Sequence, residues 1–164
     1  MGMSVTIGKA TERDAEQILK LQYLCYQAEA ELYGDYTIEP LTESLAELNA
    51  ELQGGCVLVA RLGEEVVGSV RGTVDAQGTA SIGRLIVHPR MQRHGLGGRL
   101  LAAVEERLSA ERAAARYRLS AGHRSGLRLY RRLGYAPVAT EQITRQLNLV
   151  TMEKEAARPL AASA

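Results

Sequence analysis

The 164-residue sequence predicts one α/β (α+β) domain of about seven strands and four helices. Three observations carry that reading. The stretch from Ala80 to Leu108 passes from an apolar, partly β-branched run through a glycine-rich loop into a long helical pattern. Two pairs of short apolar runs, one before that stretch and one after it, have the spacing of antiparallel hairpins. The whole order is strand, two helices, three strands, helix, strand, helix, two strands, with no repeat, low-complexity block or linker between them. A chain of this length can bury one sizeable core. Phe and Trp are absent, so that core must be aliphatic, with seven Tyr as the only aromatic residues.

Taken in order, Val5 to Ala10 reads as a first strand. Thr11 offers a helix N-cap with Glu12 and Asp14 in the first turn, and Ala15, Ile18, Leu19, Leu21 and Leu24 extend an apolar stripe to about Ala30. Gly34 and Pro40 punctuate a loop over residues 33–40. Leu41, Leu45, Leu48 and Leu52 mark a second helix with Thr42 as its cap, stopped by Gly54-Gly55. Residues 56–62 and 66–74 flank Gly63-Glu64-Glu65 as a hairpin, and residues 75–78 turn the chain into the central strand at Ala80. Residues 117–121 form a short strand, and residues 126–133 a short helix ended by Gly134. Residues 135–142 and 147–153 make the last antiparallel pair. The domain is expected to span residues 1–155, with a frayed tail over 156–164.

The central stretch carries the chemistry. Ile82, Leu85, Ile86 and Val87 suit a buried strand that Pro89 ends, because proline cannot donate to a ladder. Leu96, Leu100, Leu101, Val104 and Leu108 recur at helical spacing, with Arg99, Glu105, Glu106 and Arg107 opposite. Between them, Gln92 to Gly98 can bend tightly and admit a ligand where no Cβ intrudes. The free N–H groups of the first helical turn then face an anion, with the positive end of the helix dipole behind them. The Lys-Ser/Thr pair of a P-loop is missing, and Leu100 stands where a dinucleotide fingerprint needs its third glycine. Charge supports an anionic ligand. Residues 84–134 carry twelve Arg and three acids, a net +9, against eight basic and sixteen acidic residues elsewhere, a net −8.

Gln92, Gly95 and Gly97 fit Gln/Arg-x-x-Gly-x-Gly/Ala directly after a strand ending Leu85-Ile86-Val87-His88-Pro89. On these residues, and in element order over about residues 4 to 154, the chain resembles the GNAT superfamily of acyl-CoA-dependent N-acetyltransferases. The resemblance implies a central mixed, mostly antiparallel sheet in which two parallel strands, here residues 82–87 and 117–121, splay apart at the CoA site. It implies acetyl-CoA as co-substrate. The backbone of Leu85, Ile86 and Val87 would pair with the pantetheine arm. Gln92, Arg93, His94, Gly95, Leu96, Gly97 and Gly98 would surround the pyrophosphate, with Arg93 as a cation. Leu129-Tyr130-Arg131-Arg132-Leu133-Gly134-Tyr135 is similar to the segment that carries the family's general acid, which assigns that role to Tyr130; a core tyrosine is the alternative. Gly126 and His123 stand where family members often place an Asn on the CoA arm, so His123 is read as a cofactor-binding or structural residue.

The general base has no obvious bearer. Many family members carry a Glu on the central strand, near where this chain has Ser81 and Gly83, and no carboxylate lies between Ala80 and Arg90. Glu39 is the candidate base, with Glu43 a second, unless the amine arrives neutral. The acceptor side is expected near Tyr23, Tyr26, Tyr33, Tyr36, Glu39 and Ile143, where acids and ring faces suit a cationic amine. His88 and His94 lack ligand-type partners at metal spacing, so no metal site is read. Cys25 and Cys56 read as buried free thiols of a cytoplasmic protein. No run is long enough for a membrane span and no leader pattern opens the chain, so no membrane partner is expected. Nucleic acid is disfavoured because only Tyr117 and Tyr130 offer stacking faces amid the arginines. The function expected is acetyl transfer to a primary amine of a small molecule. A protein N-terminus or lysine as acceptor, and a non-catalytic acyl-CoA-binding module, are the alternatives. A homodimer through the final strand is left open.

Overall fold

The computed structural model describes residues 4–122, 124–145 and 147–157. Seven strands form one sheet: β1 (Val5–Lys9), β2 (Cys56–Leu62), β3 (Glu65–Val74), β4 (Thr79–Val87), β5 (Arg116–Ala121), β6 (Ala136–Thr144) and β7 (Leu147–Glu155). Their spatial order is β1-β2-β3-β4-β5-β7-β6. Every neighbouring pair is antiparallel except β4 and β5. The mixed, mostly antiparallel sheet is therefore as expected, and the strand bounds fall within two residues of those read from the sequence.

The helices differ in number. Six α-helices are present among the described residues, where four were expected: α1 (Ala15–Cys25), α2 (Gln27–Tyr33), α3 (Glu39–Thr42), α4 (Leu45–Gly54), α5 (Leu96–Arg112) and α6 (Arg124–Arg132). The first expected helix breaks at Tyr26, which caps both α1 and α2 and has φ −92° and ψ 1°. Neither Gly nor Pro marks that break. The second expected helix also divides. Its cap is Ser44 and not Thr42, because Ser44 and Glu47 form a capping box: Glu47 N donates to Ser44 Oγ at 3.1 Å, and Ser44 N donates to Glu47 Oε1 at 2.9 Å. Thr42 instead closes the single turn of α3, and Leu45 is exposed where a buried position was expected.

Helix α5 buries Leu96, Leu100, Leu101, Val104 and Leu108 against one face of the sheet, with Leu58, Val70, Ile82 and Met152. Helices α1 and α4 cover the other face around Ile18, Leu21, Leu48, Val59 and Ile86. Ile82 and Ile86 would share a face in a regular strand, because side chains alternate with period 2. They lie in opposite cores. The switch occurs at a bulge in β4: Arg71 pairs with Gly83 and Ser69 with Ile86, so two residues, Arg84 and Leu85, oppose Val70 alone. Arg84 takes the left-handed conformation there, with φ 52°. The bulge returns Leu85 and Val87 to the α5 side, and it gives a cleft its wall.

Candidate functional site

β4 and β5 pair only over Thr79–Ser81 and Arg116–Arg118. Beyond Ser81 the strands part, and the gap opens into a cleft of about 360 Å³ lined by Ile82–Val87 on one side and Leu119–Gly122 on the other. β4 remains hydrogen-bonded to β3 and β5 to β7, so the strand edges facing each other across the gap are left with backbone groups for a ligand. Cys25, Tyr26, Glu29, Gln92 and Tyr130 complete the walls.

At one end of the cleft the chain builds an anion cradle. A 3-10 turn (Pro89–Met91) follows β4, with His88 Nδ1 accepting from Arg90 N at 3.2 Å. Arg93 and Gly95 both have positive φ, 69° and 74°, and Gly95 is the N-cap of α5. A side chain at Gly95 would be strained by that φ although the space around it is open. Arg99 N makes the first intrahelical bond, to Gly95 O, so the amides of Leu96, Gly97 and Gly98 have no intrahelical acceptor. Leu96 is buried by its side chain and offers only its backbone, as do Leu85, Ile86 and Val87, whose side chains belong to the cores. Arg93 and His94 are exposed beside the loop. Gln92 turns its amide onto Val87 O at 3.4 Å, which ties the loop to the strand. His123 lies outside the described residues. These unfilled amides and the open glycines fit a pyrophosphate.

Tyr130 on α6 lines the same cleft. Burial raises the phenol above its usual range, and the Glu29 carboxylate raises it further, so the hydroxyl stays protonated. Gly126, one turn earlier on α6, lies against the ring, and a Cβ there would make only ordinary contact, 3.7 Å from Tyr130 Cε2. Tyr135 is the core tyrosine of this segment. Its ring lies 6.0 Å from that of Tyr130, its N–H donates to Tyr130 O at 2.9 Å, and its hydroxyl donates to Glu105 Oε2 at 2.7 Å. Lys154 Nζ donates to Glu105 Oε1 at 3.0 Å, so the end of α6 is anchored to both α5 and β7.

At the other end, Glu39 and Glu43 lie on the expected segment, but neither lines the cleft. Glu39 is 92% exposed, lies outside the cleft lining and is 4.0 Å from Arg84. Glu43 is committed elsewhere: it takes both Nη groups of Arg71 at 2.8 and 2.6 Å and the Gln22 amide at 3.1 Å. Burial alone would raise the Glu43 carboxyl, but the bonds from Arg71 and Gln22 and the charges of Arg71 and Arg84 outweigh it and hold it below its usual range. It ties the α3 loop to the sheet. The acid that lines the cleft is Glu29 on α2, and Tyr26 beside it is likewise held as a phenol by burial and by Glu29. Tyr23 and Tyr36 are exposed and outside the cleft; Tyr33 is partly buried, with Glu29 again acting on it. Cys25 and Cys56 are free thiols, only partly buried. Cys25 points at Val87 O, 3.5 Å away, and burial pushes it up to about 11. Among the described residues no three His, Cys, Asp or Glu side chains are grouped to hold a metal, and no helix is long and apolar enough to cross a membrane.

Sequence comparison decides the family, since the model of the acetyltransferase (GNAT) family matches residues 16–135. The chain belongs to the GNAT acetyltransferases. No curated protein matches it in sequence. In fold this GNAT chain is similar to the PaiA N-acetyltransferase of Thermoplasma acidophilum in complex with coenzyme A. That pair is 20% identical, with a TM-score of 0.77 over 93% of this chain and 99% of that one. It is also similar to the ribosomal-protein-S18-alanine N-acetyltransferase of Escherichia coli, at 16% identity and a TM-score of 0.76 over 95% and 96%. A third likeness is to yncA of Salmonella typhimurium with its cofactor acetyl-CoA, at 22% identity and a TM-score of 0.75 over 95% and 96%.

Proposed function

We propose that this GNAT chain transfers an acetyl group from acetyl-CoA to the primary amine of a small molecule by direct attack. The observation that carries the reading is Tyr130, a protonated phenol standing in a cleft that leads from an anion cradle to an acid- and tyrosine-lined wall. Family membership and the neighbours crystallised with coenzyme A or acetyl-CoA support the co-substrate. Acetyl-CoA would supply the acyl group as a thioester. The amides of Gly95 to Gly98 would hold its pyrophosphate, with Arg93 alongside, and the free edge of Leu85–Val87 would align its arm as an added strand.

Within that arrangement Tyr130 donates its hydroxyl proton, as a hydrogen bond, to the sulfur as thiolate charge develops. An unperturbed thiol titrates near 8.5 and a phenol near 10, so the phenol stabilises the charge chiefly as a donor. Glu29 supplies the carboxylate that attracts a cationic amine and takes up its proton, directly or through water, and it is favoured over Glu39 because it lines the cleft. Groups facing the acceptor side are few, and the volume of about 360 Å³ for the whole cleft suits a small acceptor better than a folded protein surface.

The test is calorimetric titration with acetyl-CoA, followed by thiol-release assays on an amine panel with wild type and Tyr130→Phe. The variant should lose about 10²- to 10³-fold in kcat with little change in acetyl-CoA affinity. Unchanged turnover removes Tyr130 from the reaction, and absence of acetyl-CoA binding at millimolar ligand removes the transfer reading.

A further inference from the structure

The structure assigns the acceptor to the amino-carboxylates: we propose that Arg84 binds a carboxylate on the substrate, which makes a free amino acid or a similarly small amino acid derivative the molecule acetylated. This rests on the acetyl-transfer reading and narrows it. Two arginines of neighbouring strands make the case by contrast. Arg71 on β3 is buried and both of its Nη groups are bonded, Nη1 to Glu43 and Nη2 to Glu43 and Gln22, although its Nε, like that of Arg84, is buried with no acceptor among the described residues. Arg84 on β4 is also largely covered, its side chain 22% exposed, yet among the described residues its guanidinium makes no hydrogen bond, and its Nε is buried with no acceptor. Its one ion pair among the described residues is at 4.0 Å to Glu39, an exposed carboxylate that solvent screens.

Arg84 is also the residue at the β4 bulge, in a left-handed conformation that costs any residue with a Cβ. The bulge turns it to the α1–α2 side of the cleft, where its charge acts on Tyr26 and Glu43. A guanidinium presents five donors in a planar fork that matches a carboxylate, and buried donors are ordinarily filled. The same cleft holds the Glu29 carboxylate, whose charge acts on Tyr26 and Tyr130. A cation and an anion within one small cleft complement a zwitterion: the carboxylate goes to Arg84 and the amine toward Glu29 and Tyr130. A polyamine would place a like charge against Arg84, and an amine without an acid would leave its donors unfilled.

Calorimetric titrations of the proteinogenic amino acids and their carboxamides onto the CoA-loaded protein test this, alongside an acetyl-CoA titration and a melting curve of each variant. At least one amino acid should bind about tenfold or more tightly than its carboxamide, the loss typical of removing one charge-assisted pair. Arg84→Gln should abolish that difference while acetyl-CoA affinity and melting temperature hold, and Arg84→Lys should restore part of it. Three results overturn the proposal: carboxamides binding as well as the acids, no amino acid binding at all, or Arg84→Gln acting instead on acetyl-CoA affinity. Failure of the wild type to bind acetyl-CoA is a separate result and overturns the transfer reading itself.

Discussion

The two ends of the cleft are built from different materials. The anion cradle is made of backbone: two positive-φ residues, three glycines and the unfilled amides at the start of α5, so few side chains are needed to define it. The acceptor end is made of side chains, Tyr26, Glu29 and Arg84, brought together from a broken helix and a bulged strand. A backbone site is fixed by local conformation and tolerates change around it. A side-chain site depends on how distant elements dock, and the docking here runs through the Glu43–Arg71–Gln22 cluster.

The largest effect expected from this contrast is at Gly95. Gly95→Glu places a side chain at φ 74° and a negative charge in the cradle, while the space around it is open, so the fold should survive. Acetyl-CoA affinity should fall by about a hundredfold or more through charge repulsion in the cradle. Circular dichroism should stay close to wild type, and backbone strain should lower the melting temperature by only about a few degrees. A variant that still binds acetyl-CoA as well as wild type would mean that the cradle holds no pyrophosphate.

The same contrast explains what could be read from the sequence. The strand–loop–helix at 80–108 obeys local rules, and its five-residue helical stripe is buried as the periodicity requires. The acceptor end offered no comparable signal. The break at Tyr26 has no Gly or Pro, and with it Glu29 turns into the cleft wall. The bulge at Arg84 shows only as Ile82 and Ile86 facing opposite cores, which an apolar run does not reveal. The capping box Ser44-x-x-Glu47 was legible and would have moved the start of α4 from Thr42. Glu39 and Glu43 are both carboxylates near the acceptor loop, but only tertiary contacts distinguish an exposed acid from one locked to an arginine.

A smaller effect, of opposite kind, is expected at Glu43. Its side chain and that of Arg71 are 8% and 10% exposed, and Glu43→Gln leaves a buried guanidinium without its counter-charge. The cost should be about 3 kcal/mol, which for a domain of this size lowers the melting temperature by roughly 10 °C. Amine KM should rise because α3 loosens, while acetyl-CoA affinity should hold, the reverse of Gly95→Glu. The pH dependence follows from the carboxyl lying below its usual range in the folded protein. The group stabilises the fold fully above its unfolded value near 4.5, and that contribution is lost as pH falls through the lower folded value. Acid melting curves of wild type and Glu43→Gln should therefore converge in that window. Parallel curves would show that the pair contributes packing and not charge.

The smallest expected effect is a flat line. If Tyr130 donates to the leaving sulfur, kcat/KM for the amine must fall wherever that phenol ionises. The phenol is raised from 10.0 by burial first and by Glu29 second, so the fall is displaced above pH 10. The profile should rise with the free-amine fraction and then stay level to about pH 10, the limit of practical assays. Glu29→Gln removes the second of the two causes together with the carboxylate assigned to the amine, so kcat/KM should fall across the whole profile and any descending limb should lie nearer pH 10 than in the wild type. A descending limb near pH 9 in the wild type would assign the proton to an unshifted group, and the role of Tyr130 would then have to be reassigned, with both ends of the cleft left standing.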